Sequence, residues 1–258
     1  MLLAIDAGNT NLTVGLFEGS VVKHRWRLRT VHEQTADEWG IKFRELLSVA
    51  GLDWRDVDGI IAASVVPALD QPLATMGRQY FNQAVKFVTF TTETGLSVLY
   101  ENPREVGADR IVNGVAAFAK YGGPCIVVDL GTAITFDAIS AKGEYLGGVI
   151  GPGIGISITG LFTKTARLPM VDFREPEKLI GTNTVGSMQS GLYYGAIGMI
   201  DGILERMIEE LGPETKTVAT GGQATMITRG SRFLREADED LTLEGLQIIW
   251  ERGRQACS

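Results

Sequence analysis

The chain has 258 residues, 45% hydrophobic and 21% charged, with a net charge of −7. That length suits one large domain or two modest ones with a real core. The acidic balance argues against nucleic acid, since phosphate contacts need clustered Lys and Arg. Two cysteines, Cys125 and Cys257, form no C-x-x-C pair, and the only histidines are His24 and His32, so no structural zinc site is expected. The N-terminus meets Asp6 too early for a signal peptide, and no apolar run reaches the length of about 18 residues that a membrane span needs. The expectation is a cytoplasmic protein with neither nucleic acid nor membrane as partner.

In chain order, LLAIDAG predicts an apolar strand, followed by a hydroxyl-rich turn and an alternating strand. A turn at Glu18-Gly19 leads into KHRWRLR (Lys23 to Arg29), whose alternation reads as one solvated face of a strand. A helix is predicted over Ala36 to Ala50, with Gly51 and Asp53 as exit residues. A strand follows at Gly59 to Ser64, then a helix over Leu69 to Phe81 and a strand over Lys86 to Val88. Next comes a helix over Ala108 to Tyr121. Cys125, read as a small buried hydrophobe, then opens the strand CIVVDLG. The cluster GPGIG (Gly151 to Gly155) precedes a helix to about Thr165, and a long helix covers Thr184 to Leu211, stopped by LGP. A strand at Thr217 to Thr220, a Gly-Gly turn and a helix over Leu241 to Arg252 close the chain.

Two of these stretches match. Asp6 and Gly8 recur as Asp129 and Gly131, each pair 123 residues apart, and each Asp-x-Gly ends an apolar strand that continues into a hairpin. We read a duplication into two α/β halves, 1–120 and 121–258, each led by a β-hairpin sheet. Two unrelated hairpins are the alternative. In a duplicated molecule the two turns are expected to face one cleft. Glycine lets backbone N–H groups approach an anion there, and Asn9, Thr10 and Thr132 add side-chain donors. Two carboxylates about 4 Å apart repel by roughly 4 kcal/mol at an effective dielectric near 20. Cations between them relieve that repulsion, so the pattern points to metal-assisted phosphate binding. There is no G-x-x-x-x-G-K-[ST]. GPGIG fails the dinucleotide register because Ile156 and Ile158 stand at the third-glycine positions, and it reads instead as backbone passing close to a neighbour.

The Asp-x-Gly pair resembles the phosphate motifs of the actin, Hsp70 and sugar-kinase superfamily, with TGGQA (Thr220 to Ala224) where that superfamily contacts adenosine. IDAGNTN, YENPREVGADRIVN, VDLGTAITFD, GGVIGPG and NTVGSMQSG are, in order, similar to the motifs of type III pantothenate kinases, a likeness covering nearly the whole chain. The resemblance implies a duplicated ribonuclease-H-like (actin-like ATPase) fold, with mixed sheets flanked by helices and a cleft between the halves. It also implies transfer of the γ-phosphoryl of ATP to pantothenate, the first step towards coenzyme A. Carried over, Asp6, Ala7, Gly8, Asn9, Thr10, Asn11, Leu12, Thr13 and Thr132 hold ATP, with Asp6 near Mg2+ and reaching it through water. Asp129 ligates a monovalent cation, K+ or NH4+. Tyr100, Gly107, Ala108, Asp109, Arg110 and Thr184 bind pantothenate, Asp109 is the proton acceptor, and the enzyme is a homodimer.

Read without the likeness, several of these residues have plainer roles. Asp109 is a helix-start acid favoured by the macrodipole, Arg110 a solvated base, Tyr100 a packing residue and Thr184 an N-cap. Asp137 and Asp172 read as turn or surface carboxylates. The small residues Gly191, Gly195, Ala196 and Gly198 imply close helix packing within the monomer, or, by the likeness, a seam between subunits. Three other functions fit the fold: a kinase of sugar or acetate, a regulatory relative without catalysis, and an actin-like ATPase. The segment Tyr100 to Arg110 fits pantothenate better than a sugar, the key acids are all present, and the length leaves no room for a separate substrate domain.

Overall fold

Apolar periodicity in the first thirty residues builds three antiparallel strands, β1 (Leu2–Ala7), β2 (Asn11–Glu18) and β3 (Val21–Arg29). The computed structural model describes residues 1–255, and Cys257 lies outside them. β1 is buried almost throughout, as a central strand must be, whereas β3 alternates exposed and half-buried residues, as an edge strand does. Lys23, Arg25, Arg27 and Arg29 fall on its exposed face.

α1 (Ala36–Val49) starts on a capping box in which Thr35 and Glu38 satisfy each other's backbone N–H groups. β4 (Gly59–Ser64) adds parallel to β1. α2 (Pro67–Phe81) begins two residues before the predicted Leu69, because Pro67 at its first position is already set at helical φ. β5 (Val85–Phe87) completes the order β3-β2-β1-β4-β5. Trp39, Phe43, Leu47, Leu69, Leu73 and Met76 from the two helices fill the core against this sheet. A two-residue strand, β6 (Ser97–Val98), and a 3-10 turn at Pro103–Glu105 then lead to α3 (Ala108–Tyr121).

The second set of elements repeats the plan. β7 (Cys125–Leu130), β8 (Ala133–Ile139) and β9 (Glu144–Pro152) are antiparallel neighbours. α4 (Ile154–Lys164) and the 28-residue α5 (Thr184–Leu211) follow, and β10 (Lys216–Thr220) adds parallel to β7. The order β9-β8-β7-β10 therefore matches β3-β2-β1-β4. The hairpins even share an irregularity: register slips at Leu16/Phe17 in β2 and at Ala138/Ile139 in β8, the residues paired at and next to the starts of β1 and β7. A short helix, α6 (Ala224–Thr228), and the terminal α7 (Leu241–Gln255) complete the described chain.

Contacts divide the chain into Met1–Ala116 with the segment from Leu241 onward, and Ala117–Asp240. The expected halves, 1–120 and 121–258, follow the repeat in the sequence, whereas packing assigns α7 to the first unit. There Leu243 lies against Gly15, Trp250 against Gly59, and the Thr242 hydroxyl donates to Asn113 Oδ1 at 2.7 Å. Among the described residues no helix is long and apolar enough to cross a membrane.

Two expectations are corrected in the second unit. Asp137 is no turn or surface carboxylate: it is fully buried in β8, where Oδ1 accepts the Tyr145 hydroxyl at 2.7 Å. The alternation that normally exposes every second residue fails because this part of β8 is covered on both faces. Gly191, Gly195 and Gly198 do not pack within the monomer either, since a Cβ on any of them would meet nothing within 4 Å. Cys125, by contrast, is fully buried as expected, and burial pushes its thiol up to about 12.

Candidate active site

In the first unit the strand β1 ends at Asp6-Ala7 and the chain turns at once. Gly8 N–H donates to Asn11 C=O at 3.1 Å, which closes the turn and leaves Asn9 and Thr10 exposed. Thr30 braces it from the next strand connection: its hydroxyl donates to Gly8 C=O at 2.6 Å and its N–H to Thr10 C=O at 3.1 Å. Asp6 and Thr13 are register partners across β1 and β2, both half-buried. Ala7 and Leu12 have their side chains in the core, so only their backbone is available to a ligand.

The segment Tyr100 to Arg110 reaches its helix through a capped turn. Asn102 Oδ1 accepts Arg104 N–H at 3.3 Å, and its Nδ2 donates to Glu105 Oε1 at 2.8 Å. Gly107 C=O accepts the first helical N–H groups, from Arg110 at 3.1 Å and Ile111 at 3.2 Å. Asp109 folds back along this end of α3, and its Oδ1 accepts Arg110 N–H at 2.8 Å. The fold-back is possible because residue 107 has no side chain: a Cβ there would lie 2.5 Å from Asp109 Oδ1. Burial pushes the Asp109 carboxyl above the ordinary carboxylate range, against the opposing pull of the Arg110 N–H and charge. Arg110 is itself buried, so the solvated-base alternative does not describe it. Tyr100 is half-buried.

The second unit carries the repeated turn, one residue shorter, closed by Gly131 N–H donating to Ala133 C=O at 3.1 Å. Asp129 is half-buried at the end of β7, and Thr132 is exposed at the turn. Gly221 of TGGQA approaches Asp129 so closely that a Cβ on it would lie 2.6 Å from Asp129 Oδ1. GPGIG does bring backbone close to a neighbour at a helix start: Gly153 is the N-cap of α4 and abuts the carbonyl of Thr132. Thr184 is exposed in the first turn of α5, on the wall of a 680 Å³ recess shared with Leu161, Leu168, Met188 and Leu192. The N-cap is Asn183 rather than Thr184, because Asn183 Oδ1 accepts Gly186 N–H at 2.8 Å.

The structure thus brings Asp6 to Thr13, Tyr100 and Gly107 to Arg110 into the first unit, and Asp129, Thr132 and Thr184 into the second. The sequence reading passed over Val65, whose N–H donates to Ala7 C=O at 3.1 Å. Its only signal was position, between the end of a strand at Ser64 and a helix-starting proline at Pro67.

The family model for type III pantothenate kinase matches residues 2–206. The chain belongs to the type III pantothenate kinase family. A type III pantothenate kinase from Solibacter usitatus is 68% identical over 252 residues, 98% of this chain and 97% of that protein. One from Koribacter versatilis is 54% identical over 265 residues, 98% of this chain and 96% of its own. Among solved structures, component A of (R)-2-hydroxyglutaryl-CoA dehydratase from Acidaminococcus fermentans superimposes with a TM-score of 0.56 at 11% identity, covering 99% of this chain and 98% of its own. A ROK family protein from Streptococcus pneumoniae, solved with sucrose, gives 0.55 at 13%, covering 99% of each chain. Such distant likeness speaks for the fold alone: the family is built on the actin-like architecture, with two mixed sheets flanked by helices.

Proposed function

We infer how this chain, as a type III pantothenate kinase, phosphorylates pantothenate for coenzyme A synthesis: Asp109 accepts the proton of the acceptor hydroxyl while the γ-phosphoryl of ATP transfers in line. The observation that carries the reading is the Asp109 carboxylate, folded back at the start of α3 in the same unit as the Asp6 to Thr13 loop. Phosphoryl transfer passes through a loose transition state, so positioning and charge neutralisation do most of the work. Asn9, Thr10 and the turn backbone serve the phosphates, and Thr132 adds a further contact. Tyr100, Gly107, Ala108, Arg110 and Thr184 hold pantothenate. The buried Arg110 suits an anionic or polar group of the vitamin, by a charge-assisted hydrogen bond.

The oxygen-only donor set fits hard cations. Asp6 would hold Mg2+ through water, and Asp129, fixed against Gly221, would ligate K+ or NH4+. Bound there, the cations would neutralise phosphate charge as the transfer proceeds. With ATP, Mg2+ and K+, and a panel of pantothenate, glucose and acetate, mass spectrometry should find phosphopantothenate alone. Turnover of glucose instead would overturn the reading. Exchanging K+ for Na+ should lower the rate, and indifference to that exchange removes the role given to Asp129.

The reading takes the enzyme as a cytoplasmic homodimer. What supports the dimer is a set of exposed apolar side chains in the second unit, Ile150 on β9, Ile156 and Phe162 on α4 and Tyr194 on α5, together with the open glycines of α5. Sedimentation velocity should give twice the chain mass, and Gly195→Arg should give the monomer. A wild-type monomer at micromolar concentration sinks the assignment.

A further inference from the structure

Asp109 and the phosphate loop come from sequence positions a hundred residues apart, yet phosphoryl transfer tolerates little error in their spacing. One residue, Val65, is tied to the loop's strand and comes near the start of α3. The Val65 N–H donates to Ala7 C=O at 3.1 Å, which ties the residue to the end of β1, directly after Asp6. Its Cγ1 lies 3.5 Å from the point where a Gly107 side chain would begin, and that same point is 2.5 Å from Asp109 Oδ1. A Val65 methyl and the Asp109 carboxylate therefore both border the space that the missing Gly107 side chain leaves.

Val65 is itself held on both sides. Ser64 Oγ donates to Val66 C=O and accepts Val66 N–H, both at 3.3 Å, which locks the turn around it. Val66 is buried in the core, and Pro67 starts α2 immediately afterwards. A β-branched side chain has few χ1 options, so the methyl facing Gly107 does not wander. The same backbone thus anchors to the phosphate loop and presents a stiff apolar spacer to the start of α3.

We infer that Val65 is a positioning residue that sets the spacing between the phosphate loop and the Asp109 carboxylate. The inference rests on Asp109 being the proton acceptor. A spacer of this kind acts on turnover rather than on nucleotide binding, because the loop's own turn is closed by Gly8, Asn11 and Thr30 without it. Val65→Ala is expected to lower kcat by about 10-fold or more, a misplacement of well under 1 Å being enough for that, while the KM for ATP stays within about twofold. Val65→Ile, which keeps the β-branch, should recover most of the loss. Val65→Leu keeps the apolar area for folding but moves the branch one carbon outward, and should show the same kcat-selective loss if the alanine variant fails to fold.

Asp109→Asn is run in the same assay. If it turns over at the wild-type rate, the acceptor assignment falls and the inference falls with it. If it is inactive while Val65→Ala and Val65→Leu keep kcat within about twofold of wild type, the inference alone is overturned. It is overturned equally if their ATP KM rises in step with the loss of kcat, since Val65 would then support the nucleotide loop itself.

Discussion

The Asp109→Asn variant is expected to bind ATP as the wild type does and to lose about 10²- to 10⁴-fold in kcat, the usual worth of a positioned general base. Asparagine keeps the oxygen that accepts the Arg110 N–H, so the start of α3 should keep its geometry while losing its proton acceptor. The pH dependence separates chemistry from damage. Burial holds the Asp109 carboxyl above the ordinary range, so the acid limb of the wild-type kcat profile should lie higher than a free carboxylate would put it, and it should vanish in the variant. Stability should move the other way. The folded chain holds this proton more tightly than the unfolded chain, so ionising the group costs folding free energy. That cost is absent below the ordinary carboxyl pKa and complete once pH has passed the raised value. At neutral pH asparagine carries no such cost, and thermal denaturation should find the inactive variant at least as stable as the wild type. Normal turnover by Asp109→Asn would remove Asp109 from the chemistry.

Gly221→Ala should damage the second unit's turn from the opposite direction. Gly221 has φ +89, and a Cβ on it would lie 2.6 Å from Asp129 Oδ1 and 2.8 Å from the backbone of Leu130. The left-handed backbone alone costs a non-glycine residue about 1–3 kcal/mol, and the clash with backbone adds to it. Calorimetry should show a melting temperature lower by several degrees. Kinetics should show a raised KM for ATP and a blunted response to K+, because the turn proposed for adenosine and the carboxylate proposed for the cation press on each other. An alanine variant with wild-type Tm and ATP KM would mean that the two do not touch in solution.

Much of this architecture could be read from local chemistry. Caps and breakers marked α1, α3 and α5, and the continuous apolar runs marked β1, β4 and β7 as strands. What escaped depends on partners distant in sequence. Asp137 looked like a turn residue because nothing nearby announces that Tyr145 will meet it inside the sheet. Asn183 and Thr184 are equally good N-cap types, and only the reach of Asn183 Oδ1 to Gly186 N–H separates them. The α5 glycines show the same limit, since a pattern of small residues suggests close packing without fixing it, and here the helix face is open. α6 has five residues, too few for periodicity to register. At the candidate site, the proposed acids stand out in the sequence as Asp-x-Gly and Gly-x-Asp-Arg, whereas Val65 does not: valine after a strand is ordinary, and its position near Gly107 is decided by the fold.

The return of α7 to the first sheet has a consequence for biosynthesis. Leu243 and Trp250 cover the sheet of β1, β2 and β4 at Gly15 and Gly59, and Gly245 lies against Val112 of α3. Domains emerging from a ribosome generally settle from the N-terminus onward, at about 5–20 residues per second. Here the Asp6 to Thr13 loop is translated well before α7, and its sheet lacks one cover until that helix has left the exit tunnel. The intervening unit has its whole sequence available earlier, so it is free to mature before the first unit is complete.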